Sequence, residues 1–116
     1  MLGVEMTVVY VGVTVRDYPA AVDWYTRLFG RPADLEPFDV EVMWRITEGT
    51  LFFVLHDPDK ARPRLTTIGV ADVAAAVAEI GTRGIPADPV EDLGASGRQA
   101  VFHDAEGNAI SLIQVA

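Results

Sequence analysis

Few side chains in this sequence are equipped for chemistry. Histidine occurs only at 56 and 103, serine only at 96 and 111, and cysteine is absent, which removes disulfides, thiolate metal sites and cysteine nucleophiles together. A serine nucleophile needs a base within hydrogen-bond reach and a third group to orient it. In GRQAVFHDAEGNAISL, His103 closes one alternating run and Ser111 sits inside the next, beyond a polar hairpin corner. Strand parity groups His103 with Val101 and Gln99, opposite Ala100 and Phe102, and groups Ser111 with Ala109 and Ile113, opposite Ile110 and Leu112. His103 is expected as a polar residue at the rim of a site, with general base as the alternative. His56, in LHDPDK, is expected in a solvated loop.

The elements that must position these groups occur twice. VTVRDYPAAV at 13–22 and IGVADVAAAV at 68–77 register at an offset of 55 residues, from Asp17 to Asp72. RPAD at 31–34 answers IPAD at 85–88, and ITEGTLFFV at 46–54 answers DAEGNAISL at 104–112. Each copy opens on an alternating strand and meets an aspartate placed to cap a helix. The first helix carries Pro19 in its first turn, presents Ala21, Tyr25, Leu28 and Phe29 at helical spacing and stops at Gly30. The second presents Val73, Ala76, Val77 and Ile80 and stops near Gly84. An acidic, proline-bearing loop and two or three strands follow each helix. The fold expected is therefore α+β, two tandem βαβββ modules at about 6–57 and 63–115 of a single domain spanning 1–116. A lone module leaves one sheet face bare once its helix covers the other. Pairing two gives a curved, cup-like mixed sheet with helices outside and the inner face free for a ligand.

Composition narrows the partners. The chain of 116 residues is half hydrophobic and carries a net charge of −8, from 17 acids against nine bases. Such a field repels phosphate backbones, so nucleic acid is not an expected partner, and small cations are favoured. No apolar run approaches the roughly 20 residues that cross a bilayer, and MLGVEMTVVY lacks the basic start and cleavage site of a secretion signal; a cytoplasmic protein without a membrane partner is expected.

The repeated modules, with YVGVTVRDYPAAVDWYTRLFG and GRQAVFHDAEGNAISL, resemble the vicinal oxygen chelate superfamily, which holds glyoxalases, extradiol dioxygenases, and fosfomycin- and bleomycin-resistance proteins. The resemblance covers about residues 6–115 and implies the fold more firmly than the activity, because one scaffold hosts several chemistries. In metal-dependent members each module gives ligands from its first strand, seven residues before the capping aspartate, and from its last, four after the hairpin glycine. Those positions here are Tyr10, Leu65, Phe53 and Ser111. A phenol and a hydroxyl beside two hydrocarbon side chains do not make a divalent-cation site. The resemblance thus points to metal-free, bleomycin-resistance-like binding proteins, with no metal, cofactor or catalytic residue expected.

The expected function is sequestration of an apolar or aromatic small molecule, an antibiotic being one candidate, by a homodimer with sites at or near the subunit interface. The alternative is a glyoxalase-like or cofactor-free lyase or isomerase. Candidate ligand-binding residues are Tyr10, Met43, Trp44, Arg45, Phe53, Leu65, Gln99, His103 and Ser111. Aligning EVMWRITEG with QAVFHDAEG sets Trp44 beside Phe102 and argues for the helix-facing core, but a slip of one residue would turn it into the pocket. The acidic loops DLEPFDVE and DPVED favour a cationic ligand, whereas Arg45 would favour an anionic one.

Overall fold

The structure, a computed structural model, describes residues 3–115. In chain order its elements are β1 (Val9–Val15), α1 (Tyr18–Phe29), β2 (Leu35–Phe38), β3 (Glu41–Thr47), β4 (Thr50–His56), β5 (Leu65–Gly69), α2 (Val73–Gly81), β6 (Glu91–Asp92), a 3-10 turn (Gly94–Ser96), β7 (Arg98–His103) and β8 (Ala109–Gln114). They form two four-stranded mixed sheets of the same design, ordered β1-β4-β3-β2 and β5-β8-β7-β6. In each, the strand before the helix pairs parallel with the last strand of its module, and the other pairs are antiparallel. This is the α+β fold of two tandem βαβββ modules. The segments expected as acidic loops contribute the short edge strands β2 and β6, which brings each module to four strands.

Local chemistry explains the helices. The Asp17 carboxylate accepts from the Ala20 N–H at 3.2 Å and the Asp72 carboxylate from the Ala75 N–H at 3.0 Å, so both aspartates act as N-caps. Gly30 ends α1 in a left-handed conformation at φ 77° that a side chain would strain. The second helix ends at Gly81, earlier than expected, and the chain continues through a turn to Gly84 at φ 87°. No helix among the described residues is long and apolar enough to cross a membrane.

One continuous core joins the modules. Tyr25 and Leu28 of α1 pack with Val13, Val15, Trp44, Phe52 and Val54, and the same cluster runs on through Val73, Ile80, Phe102, Ile110 and Leu112. Polar contacts lock the junction. Arg27 and Arg83 each donate to the other's main-chain carbonyl, Arg27 at 3.3 Å. The hairpin between β7 and β8 reaches across to α1, where Glu106 accepts from the Arg16 and Asp17 N–H groups, both at 2.9 Å. Buried Asp104 accepts from the Tyr25 hydroxyl at 2.9 Å, from Asn108 Nδ2 at 2.8 Å and from the Glu106 and Asn108 N–H groups at 2.9 Å. The polar hairpin corner is thus a clamp between modules.

Candidate functional site

The inner face is defined by what the core leaves over. Along β1, Val13 and Val15 are buried beneath α1, so Tyr10, Gly12 and Thr14 point the other way; on β4 the buried pair Phe52 and Val54 leaves Leu51, Phe53 and Leu55. Alternation on β3 gives Glu41, Met43 and Arg45, on β5 Leu65, Thr67 and Gly69, on β7 Gln99, Val101 and His103, and on β8 Ala109, Ser111 and Ile113. Registers arrange these in cross-strand rows. Arg45, Leu51 and Tyr10 make one row and Met43, Phe53 and Gly12 the next. Their counterparts in the second module are His103, Ala109 and Leu65, and Val101, Ser111 and Thr67. The four positions at which the family places metal ligands therefore occupy matching diagonals, Tyr10 with Phe53 and Leu65 with Ser111.

A trough of about 450 Å³ lies where the modules meet, lined by Tyr10, Val11, Gly12, Phe53, Arg64, Leu65 and Thr66. Its apolar side chains stand open to solvent, Tyr10 at 59% and Leu65 at 68% of full exposure. Gly12 is what lets β1 lie this close to β4: a Cβ there would collide with the Phe53 carbonyl oxygen and stand 2.7 Å from Phe53 Cγ. Met43 sits beside Phe53 in the register and extends the same wall.

The second module's face adds polar groups. Ser111 is buried at 3% exposure, and its hydroxyl donates to Gln99 Oε1 at 3.1 Å, with Gln99 Nε2 in turn 3.5 Å from Glu91. His103 Nε2 lies 2.7 Å from Asp88 Oδ2 at an exposed edge. Arg45 is exposed, and its main-chain N–H donates to Asp34 at 2.7 Å. Asp34 also accepts from Arg31 at 2.6 Å; the Arg31 guanidinium, then the Arg45 N–H, hold this carboxyl below its ordinary range. Part of the acidic loop is thereby neutralised.

Trp44 is corrected from the candidate list. It is wholly buried on the helix side, packs against Phe29 with ring centroids 5.4 Å apart, and donates its indole N–H to the Arg31 carbonyl at 2.9 Å. The register sets it opposite Phe52, and the irregularity in this strand pair falls beyond it, between Arg45 and Thr47. Of the other candidates, the structure gathers Tyr10, Phe53 and Leu65 in the trough, joins Gln99 to Ser111, and leaves Arg45 and His103 at the outer ends of their rows. Arg64, Gly12 and Asp88 went unanticipated. Arg64 had a signal: it stands one residue before Leu65 in KARPR, a basic run in an acidic chain.

The residues at the family's metal positions do not fit a metal. Phe53 and Leu65 have no donor atom, and the Ser111 hydroxyl is engaged by Gln99. Among the described residues no three histidine or acidic side chains converge into a cation site.

The family model of the Glyoxalase/Bleomycin resistance protein/Dioxygenase superfamily matches residues 7–112. Among solved structures, a glyoxalase/bleomycin resistance protein from Catenulispora acidiphila superposes with a TM-score of 0.88 at 28% identity, over 95% of this chain and 99% of that one. TnmS3, an antibiotic binding protein from Streptomyces, gives 0.75 at 23% identity over 100% of both chains. Lactoylglutathione lyase from Agrobacterium tumefaciens gives 0.71 at 16% identity, over 93% and 92%. No curated protein sequence matches.

Proposed function

Because the chain belongs to the Glyoxalase/Bleomycin resistance protein/Dioxygenase superfamily, whose fold serves both binding and catalysis, we propose that it is a metal-free binding protein that sequesters an apolar or aromatic small molecule. The fold does not choose between the roles, since an antibiotic binding protein and a lyase both share it. The side chains at the four ligand positions carry the choice. Tyr10, Phe53 and Leu65 turn three of them into an apolar wall around the trough, and Ser111 turns the fourth into a neutral hydrogen-bonding group. Apolar walls with a few convergent polar groups are what small-molecule sites contain.

The ligand has a second wall to find, and we assign it to a second copy of the chain. The molecule measures 48 × 41 × 24 Å, so it is thin across its shortest axis. Tyr10, Leu65, Phe38 and Val40 remain exposed. A two-fold dimer, the commonest oligomer, would bring the first-module face with Tyr10 and Phe53 toward the second-module face with Gln99 and Ser111.

One observation favours a second reading. A histidine oriented by a carboxylate, as His103 is by Asp88, is the arrangement of a general base, and supports cofactor-free proton transfer by a lyase or isomerase. A thermal-shift screen of planar aromatic compounds and antibiotics, with mass analysis of what is recovered, separates the two. Sequestration predicts unaltered ligand and a Phe53→Ala variant that loses the shift; a chemically altered hit that depends on His103 would replace it with the enzyme.

A further inference from the structure

Within this acidic chain the trough is cationic. None of its lining residues is a carboxylate, and the single charged one is Arg64; like Arg45, Arg62 and Arg98 it has no ion pair among the described residues, whereas Arg27, Arg31 and Arg83 are paired with Asp23, Asp34 and Glu79 at 3.1, 2.6 and 3.4 Å. Its main chain is also fixed on both sides. The Arg64 N–H donates to the buried Asn108 Oδ1 at 2.9 Å, and the Arg64 carbonyl accepts from the Ala109 N–H at 2.8 Å. Asn108 belongs to the Asp104 network that anchors the hairpin to α1. Arg64 thus lines the trough with Tyr10, Phe53 and Leu65 on a backbone held at both its N–H and its carbonyl.

Resting on the binding reading above, we propose that the ligand is an aromatic molecule with an anionic group, a carboxylate, sulfonate or ionised phenol, which Arg64 holds while the ring lies against Phe53 and Tyr10. An apolar body that excludes water from this trough strips hydration from the guanidinium, and a cationic ligand would add repulsion to that loss. An anion reverses both effects. The planar fork of arginine takes two oxygens of a carboxylate or sulfonate at once, and its face stacks on aromatic rings. The cationic ligand suggested by the acidic loops is replaced here by a local rule: the charges that line the site outweigh the net charge at a distance, which salt screens within about 10 Å.

Two fluorescent probes with one ring skeleton test this: 8-anilinonaphthalene-1-sulfonate, which is anionic, and neutral N-phenyl-1-naphthylamine. The wild-type protein should bind the sulfonate on the order of ten-fold more tightly, as a charge-assisted hydrogen bond predicts. Arg64→Gln should remove that advantage and leave the neutral probe within about two-fold, and Arg64→Lys should restore part of it. Arg62→Gln removes the same charge two residues away, outside the trough, and should change neither probe. Phe53→Ala should weaken both. Equal loss from Arg62→Gln and Arg64→Gln, or no sulfonate advantage in the wild type, overturns the anion site while Phe53-dependent binding of the neutral probe keeps the sequestration reading. If neither probe binds the wild type, both fail.

Discussion

Tyr25→Phe tests whether the polar clamp between modules stabilises the fold, and does so with a pH signature of its own. The Tyr25 hydroxyl is buried and donates to Asp104 at 2.9 Å, so the variant deletes one donor and keeps the ring that packs between Phe29 and Phe52. A hydrogen bond to a charged acceptor contributes about 1.5–3 kcal/mol, and Asp104 retains its three other donors, so the loss at neutral pH should fall near the lower figure. With an unfolding entropy of about 2.1 cal/mol/K per residue, about 1.5 kcal/mol lowers the melting temperature of a chain this size by roughly 6 °C. Burial, then the Asp104 charge and hydrogen bond, push the Tyr25 phenol far above its ordinary value of 10.0. Above that value the unfolded chain loses a proton that the folded one keeps, so this contribution to stability is complete below about pH 10 and declines as pH rises. One unit higher the loss is about 1.4 kcal/mol. The variant lacks that proton, and the other titrating groups are common to both proteins. Urea unfolding at pH 7 and pH 11 should therefore give two stabilities that differ at the lower pH and converge at the higher. A gap as wide at pH 11 as at pH 7 would refute the coupling between Tyr25 and Asp104.

Asp104→Ala, which strands four donors at once, should cost more than twice as much as Tyr25→Phe in the same urea titration. Glu106→Gln keeps the shape of the cap on the Arg16 and Asp17 N–H groups but removes its charge, and should lower stability by about 1 kcal/mol by differential scanning calorimetry. Gly12→Ala, whose methyl would meet the Phe53 carbonyl and force β1 away from β4, should lower the melting temperature by several degrees in a thermal scan. Chelator treatment should leave the melting temperature unchanged, and elemental analysis should find no stoichiometric divalent metal. Light scattering at micromolar concentration should return twice the 12.6 kDa of one chain.

What could be read from the sequence was local or repeated. Both N-caps, the Gly30 stop and the strand alternation depend on residues within a few positions of each other, and the two copies confirm one another wherever both obey the same packing. Its counterpart Phe102 points Trp44 to the core, but a one-residue slip keeps it among the candidates, because alternation alone does not fix a register. The Tyr25–Asp104 contact joins residues 79 positions apart and left no periodic trace; nor did the His103–Asp88 pair, which depends on how one loop folds back on a strand.

The same division separates fold from function along every strand. Across the repeat the core positions carry like for like: Phe52 and Ile110, Trp44 and Phe102, Val54 and Leu112, all buried under the helices. On the inner face the agreement is partial: Met43 and Val101, and Leu55 and Ile113, stay apolar in both, whereas Phe53 stands against Ser111 and Arg45 against His103. Backbone registers are shared, so packing alone would tolerate similar residues in both. A ligand that lay symmetrically across the junction would meet two equivalent walls; here Phe53 in one answers Ser111, bonded to Gln99, in the other. The difference on one face, against agreement on the other, fits a single asymmetric guest whose ring belongs beside Phe53 and whose hydrogen-bonding groups belong beside Gln99 and Ser111. A Ser111→Phe variant copies the first-module residue into the second and should abolish that orientation, so a ligand that binds it unchanged would show that Ser111 and Gln99 take no part.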